Sequence, residues 1–255
     1  MNESIRKILK LVAEKKISSE DGEKLIREIL RHEKENSEEG DTLNVDNIET
    51  GIKNIDISAL STDLTISGID KDGVDARADG PMTGTQKGDT FFIKSQKADD
   101  IIVDANRSLN VRAKILSGDI ELNGIEGNLN ITTVSGDIRI IATRGGFVKS
   151  VSGDIDIREI NGNITVKSVS GDIRLNIIDS TLLTVEAISS DIYIELPRNI
   201  GTEFNIQSKS GDIDVGFDMN NISKRERGLL IANRGDGHLK INVNVKSGDI
   251  HIKEY

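Results

Sequence analysis

The sequence has no cysteine and no tryptophan, two prolines, and only 3% aromatic residues in a chain of 255 residues. Without cysteine, the chain can form neither a disulfide framework nor a thiolate metal site. With two tyrosines and no tryptophan it offers a poor stacking surface for sugars. The abundant residues are those of strands and turns, so the main domain is predicted to be all β.

Excess positive charge and long apolar runs are also absent. The formal net charge of −10 disfavours nucleic acid, because no overall positive field is available to displace counterions from phosphate. No window has the length of a transmembrane segment, and the charged N-terminus is not a signal peptide. We therefore expect a cytoplasmic chain without a membrane span.

What the sequence does contain is one repeated phrase. SGDI begins at Ser117, Ser135, Ser152, Ser170, Ser210 and Ser247, with SSDI at Ser189 and a more distant STDL at Ser61. The spacing of about 18 residues, with a second turn midway, predicts coils that each consist of strand, turn, strand and corner. The predicted fold is a mainly β, single-stranded parallel β-helix or β-solenoid, preceded by a small N-terminal two-helix module.

Aligning the repeats gives an apolar column that no single coil could bury: Ile120, Ile138, Ile155, Ile173, Ile192, Ile213 and Ile250. The residue after each of these isoleucines faces outward. The charge at this outward position alternates in sign over four successive coils, which carry Glu121, Arg139, Asp156 and Arg174. Opposite charges on adjacent strands stabilise a sheet, so this alternation favours parallel, in-register stacking.

The SGD corner needs no ligand to explain it, because glycine permits positive φ and the flanking Ser and Asp can accept backbone N–H groups. Stacking would nevertheless align the aspartates, whose repulsion could be relieved by splaying into solvent or by cations such as Ca²⁺ between coils. We predict a structural role, with Ca²⁺ as the weaker alternative and no other cofactor. The predicted corner residues are Gly118, Asp119, Gly136, Asp137, Gly153, Asp154, Gly171, Asp172, Asp191, Gly211, Asp212, Gly248 and Asp249.

Residues 1–35 have helical periodicity, residues 36–43 read as a charged linker, and residues 44–255 form the β-body. Short helices need packing partners, so the apolar stripe predicts association with another protein or with a second copy of the chain. The stripe consists of Ile5, Ile8, Leu9, Val12, Leu25, Ile26, Ile29 and Leu30.

In its SGDI units and in its ending, NRGDGHLKINVNVKSGDIHIKEY, the β-body resembles the bacterial putative-adhesin domain, a family of unknown function. The segment IRKILKLVAEKKISSEDGEKLIREIL resembles the SHOCT-like helical module of LiaX-type envelope-stress proteins. This resemblance implies a non-enzymatic role in bacterial envelope stress or surface interaction, hence association with the envelope or surface, and it carries over no catalytic residue.

The sequence thus favours an interaction scaffold that uses the solenoid as its binding face and the helices for oligomerisation or docking. A second hypothesis is a structural β-helix that polymerises end to end, like bactofilins. The least favoured reading is a carbohydrate-active enzyme, because His32, His238 and His251 are isolated and no carboxylate pair stands out. Whether residues 43–116 form full coils or a cap stays open at this stage.

Overall fold

The structure is a computed structural model that describes residues 8, 21, 24, 51–198, 200–219 and 221–255. The described residues form 22 strands, and no helix can be delimited among them. The predicted N-terminal two-helix module is therefore not supported, and the predicted fold class is wrong on this point. Periodicity shows only that a segment could align an apolar stripe, and helices this short are marginal without packing partners.

Two sheets make up the described fold. Sheet A contains twelve strands: β1 (Asn54–Ser61), β4 (Met82–Lys87), β5 (Thr90–Ser95), β7 (Asn110–Ser117), β9 (Leu129–Ser135), β11 (Gly146–Ser152), β13 (Ile164–Ser170), β15 (Leu182–Ser189), β17 (Thr202–Ser208), β19 (Asn221–Glu226), β20 (Leu229–Arg234) and β21 (Leu239–Ser247).

Sheet B contains ten strands: β2 (Asp63–Ile69), β3 (Val74–Ala78), β6 (Asp100–Asn106), β8 (Ile120–Asn123), β10 (Ile138–Thr143), β12 (Ile155–Asn161), β14 (Ile173–Asp179), β16 (Ile192–Leu196), β18 (Ile213–Val215) and β22 (Ile250–Glu254).

Each central coil supplies one strand to sheet A and, after the SGD corner, one strand to sheet B. Neighbouring coils pair in parallel and in register, so that Ile138 lies between Ile120 and Ile155. Side chains alternate between the two faces of each strand, and the inward ones are isoleucine, valine and leucine, which pack between the sheets as one buried core. This arrangement matches the predicted apolar column.

The order of the coils differs from the order of the sequence at both ends of the stack. Strands β1 and β2 lie between the coil of β5 and β6 and that of β7 and β8. At the other end, β21 and β22 lie between the coil of β15 and β16 and that of β17 and β18. Leu64 pairs in register with Ile120, so the STDL segment belongs to a full coil.

Antiparallel strands cover most of both ends. Strands β3 and β4 pair antiparallel with β6 and β5, and β20 pairs antiparallel with β17 and carries β19 on its other side. Strand β19 is exposed along its whole length and carries charged residues, a common protection for a sheet edge. The body of the molecule is thus a stack of parallel coils with hairpin-like additions at its ends.

Candidate binding face

The aspartates of the corner motif form a hydrogen-bonded ladder along one edge of the solenoid. Within each of two runs, Oδ1 of one aspartate accepts the backbone N–H of the corner aspartate in the next coil. The first run joins Asp63, Asp119, Asp137, Asp154 and Asp172, with donor–acceptor distances of 2.8 Å. The second run joins Asp191, Asp249 and Asp212 at 2.9 and 2.8 Å. A carboxylate that accepts a backbone N–H makes a charge-assisted bond, which offsets repulsion along the column.

The corner glycines allow the coils to stack closely. Gly136 has a φ of 128°, and a Cβ on it would overlap the carbonyl oxygen of Gly118 in the neighbouring corner. The same relation holds between Gly153 and Gly136. Glycine is therefore needed for both backbone conformation and space. The two runs of the ladder meet at the unit where Ser190 occupies the place of the corner glycine.

A row of outward side chains on sheet B runs beside the ladder. In register order it consists of Thr65, Glu121, Arg139, Asp156, Arg174, Tyr193, His251 and Asp214. The guanidinium of Arg174 lies 5.3 Å from the centroid of the Tyr193 ring, and that ring stacks on His251 at 5.1 Å. Nδ1 of His251 is 3.8 Å from Oδ2 of Asp214. Sequence order hid the place of His251, because its coil lies before that of Asp214 in the stack.

Further along these strands, Glu195 lies between two donors. Lys253 Nζ is 2.8 Å from Glu195 Oε1, and the Asn176 side-chain amide donates to Oε2 at 3.2 Å. The hydrogen bond from Lys253 lowers the pKa of Glu195 below its ordinary value, although partial burial opposes the shift. Glu195 and Lys253 therefore tie the coil of β16 to that of β22.

A groove of about 440 Å³ follows the ladder and the first half of the outward row. Seven carboxylates and two guanidinium groups line it: Asp63, Asp100, Asp119, Glu121, Asp137, Asp154, Asp156, Arg139 and Arg174. Arg174 shows how a cation is received there, because its two terminal nitrogens lie 3.0 Å from Asp172 Oδ2 and 3.6 Å from Asp154 Oδ2. One guanidinium thus spans two successive rungs through the oxygens that the ladder leaves outward.

The corner residues named from the sequence all lie along this edge. Of the predicted helical stripe, Ile8 is described and is fully buried, whereas the other seven residues lie outside the described part of the chain. Within the described residues, no group of three His, Asp or Glu side chains converges as a metal site would require. The described histidines are also separate, since His238 lies near Asp179 and His251 in the stacked row.

One feature of the opposite sheet was not recognised in the sequence. In the phrases ILSGD, TVSGD and SVSGD, the residue directly before the corner serine alternates to the outward face of sheet A, where it forms an apolar row. The valine that is repeated before the corner serine is the sequence signal of this row.

No helix among the described residues is long and apolar enough to cross a membrane.

No curated protein matches the chain. A solved structure, that of a "putative cell adhesion protein" from Clostridium sporogenes, is similar at 13% identity and a TM-score of 0.38, covering 82% of this chain and 96% of that one. None of these comparisons shows a SHOCT-like module or a LiaX-type protein.

A family model, described as Toastrack DUF4097, matches residues 34–253. The match begins just before the predicted linker, and the division into residues 1–35, 36–43 and 44–255 stays a prediction. The matched residues include every described strand except the last residue of β22, and with them the ladder, the groove and both capped ends. The chain therefore belongs to the Toastrack DUF4097 family.

Proposed function

We propose that the chain is a non-enzymatic interaction protein whose solenoid binds a cationic segment of a protein partner along the corner ladder. The observation that carries this proposal is the seat of Arg174, whose guanidinium spans Asp154 and Asp172. An arginine from a partner could be received by the next rungs in the same way.

The rungs next to Arg174 have the capacity for such a ligand. Asp119 and Asp137 each use Oδ1 to accept a backbone N–H, which fixes the carboxylate and leaves Oδ2 outward. Among the described residues, neither of the two is paired with a cationic side chain. Because the backbone holds the rungs one strand spacing apart, a partner would pay little entropy to order the site.

The biological setting is the finer part of this proposal. The resemblance drawn from the sequence supports a role in bacterial envelope stress or surface interaction, where cationic peptides and protein tails would be the ligands of an acidic face. The two alternative hypotheses, a polymerising β-helix and a carbohydrate-active enzyme, have less support. Antiparallel additions at both ends disfavour end-to-end polymerisation. In the groove, the two carboxylates of the outward row, Glu121 and Asp156, stand on either side of Arg139, which is in register with both, and this arrangement gives no specific support to glycoside chemistry.

Binding of a synthetic octa-arginine peptide to the full chain, measured by calorimetry at low and physiological salt, tests the proposal. We expect saturable binding that becomes about tenfold weaker or more when Asp119→Asn and Asp137→Asn are combined. The control combines Asp72→Asn and Asp218→Asn, which remove the same charge outside the groove. Equal weakening by both double variants, or no saturable binding, would overturn the proposed site.

A further inference from the structure

The outward face of sheet A carries an apolar row where a solvent-facing sheet would ordinarily be polar. The row consists of Leu60, Leu116, Val134, Val151, Val169 and Ile188, one from each of six adjacent coils. Beside it lies a second outward row, in which Lys114, Lys149 and Lys167 stand in register with Thr132 and Glu186. This face therefore combines an apolar line with a cationic one.

The centre of the apolar row is covered. Val134 is 5% exposed and Val151 is 3% exposed, yet neither belongs to the core between the sheets. Their neighbours Leu116, Val169 and Ile188 are only partly buried. Because the two valines point away from the core, the sheets themselves cannot account for this burial. Another part of the chain must lie over them.

The described residues of the N-terminal segment identify that part. Ile8 is fully buried, and among the described residues it is the third buried apolar side chain outside the inter-sheet core, with Val134 and Val151. Asp21 Oδ1 lies 3.7 Å from Nζ of Lys149, which shares β11 and its outward face with Val151. The ionic contact of Asp21 and the shared burial of three apolar side chains outside the core thus point to the same strands.

The fit is partial at the edge of the row. A cavity of about 350 Å³ is lined by Asp21 together with Lys167, Val169 and Ile188. The sequence near Ile8 offers further apolar residues, and Glu20, Asp21 and Glu23 provide acidic groups suited to the lysines. A surface that is covered at its centre and open at its side is suited to reversible docking, because little area must be exposed to begin release.

We propose that the apolar row of sheet A is an interaction surface occupied by the N-terminal segment of the same chain that carries Ile8 and Asp21. The inference does not depend on the acidic groove, which lies at the corner edge and on the other sheet.

Crosslinking tests this proposal directly, since the chain has no cysteine of its own. In the full chain, Asp21→Cys is combined with Lys149→Cys and treated with a short bismaleimide at low protein concentration. The matched control combines Asp21→Cys with Arg139→Cys, an exposed position on sheet B. We expect a linked monomer for the first pair and at least about tenfold less linkage for the control.

The row itself is tested by adding Val134→Ser and Val151→Ser to the first pair. These side chains lie outside the core, so we expect the solenoid to keep its cooperative thermal transition while the yield of linked monomer falls at least about tenfold. Linked dimers in place of linked monomers would overturn the proposal in favour of a second copy as occupant. Absence of linkage, or linkage that is unchanged by the serine substitutions, would overturn it as well.

Discussion

Oδ1 of Asp137 accepts the backbone N–H of Asp154 at 2.8 Å, although the two residues stand one whole coil apart. Each corner is thus completed by its neighbour and not by its own turn. The same carboxylate leaves Oδ2 available at the surface, so one residue type serves stacking and presents charge at the same time. The structural contribution and the ligand-binding contribution of the column can therefore be separated by substitution.

Asp137→Ala and Asp137→Asn should have different effects on stability. Alanine leaves the N–H of Asp154 without its acceptor, which should lower the free energy of unfolding by about 1–3 kcal/mol. Asparagine keeps an oxygen at the same place and removes repulsion, so we expect a change within about 0.5 kcal/mol. Urea denaturation of the full-length variants measures both, and equal losses for the two would contradict the ladder as a stabilising feature.

Gly136→Ala should destabilise the chain far more than Gly88→Ala. Both glycines have positive φ, at 128° and 61°, but a Cβ on Gly136 would overlap the Gly118 carbonyl whereas one on Gly88 would meet open space. We expect about 1–2 kcal/mol for Gly88→Ala from backbone strain alone, and more than about 3 kcal/mol for Gly136→Ala. Thermal unfolding checks the ranking, and similar losses would show that close stacking is not what selects glycine at the corner.

Much of this fold could be predicted from the sequence because the repeat is both local and periodic. The inward column from Ile120 to Ile192, the parallel register and the alternation of Glu121 with Arg139 all follow from spacing and the two faces of a strand. The order of the end coils could not, because Ile213 and Ile250 are equivalent members of the column. Which of them packs against Ile192 depends on long connections that carry no register signal.

The predicted two-helix module at the N-terminus failed for a different reason. Helical periodicity was interpreted without knowledge of what the apolar residues contact. Ile8 is buried, as an apolar stripe would require, but the described residues delimit no helix. The burial of Val134 and Val151 offers a reason for those apolar residues that does not require a separate module.

Arg139→Glu tests the alternation of charge on sheet B. Arg139 pairs in register with Glu121 on one side and Asp156 on the other, so the substitution places three carboxylates in a row. We expect a loss of about 0.4–2 kcal/mol, from two cross-strand pairs of about 0.2–1 kcal/mol each. Denaturation in low and high salt measures this loss, which should shrink as salt screens the charges. A loss that does not depend on salt would point to packing by the arginine stem instead.

The pair of Lys253 and Glu195 should make stability depend on acid pH. Lys253 holds the pKa of Glu195 below the ordinary value of 4.5, so the pair stabilises the folded chain above that pH. As the pH falls through the lowered pKa, Glu195 becomes protonated and the contribution is lost. Lys253→Met should therefore cost at most about 1 kcal/mol at neutral pH, since both side chains are partly exposed, and progressively less below pH 4.5. Urea denaturation across this pH range measures the effect of Lys253→Met. In a Glu195→Gln background, the pH-dependent part of this effect should vanish. A pH-dependent difference that persists in that background would assign the effect to other carboxylates.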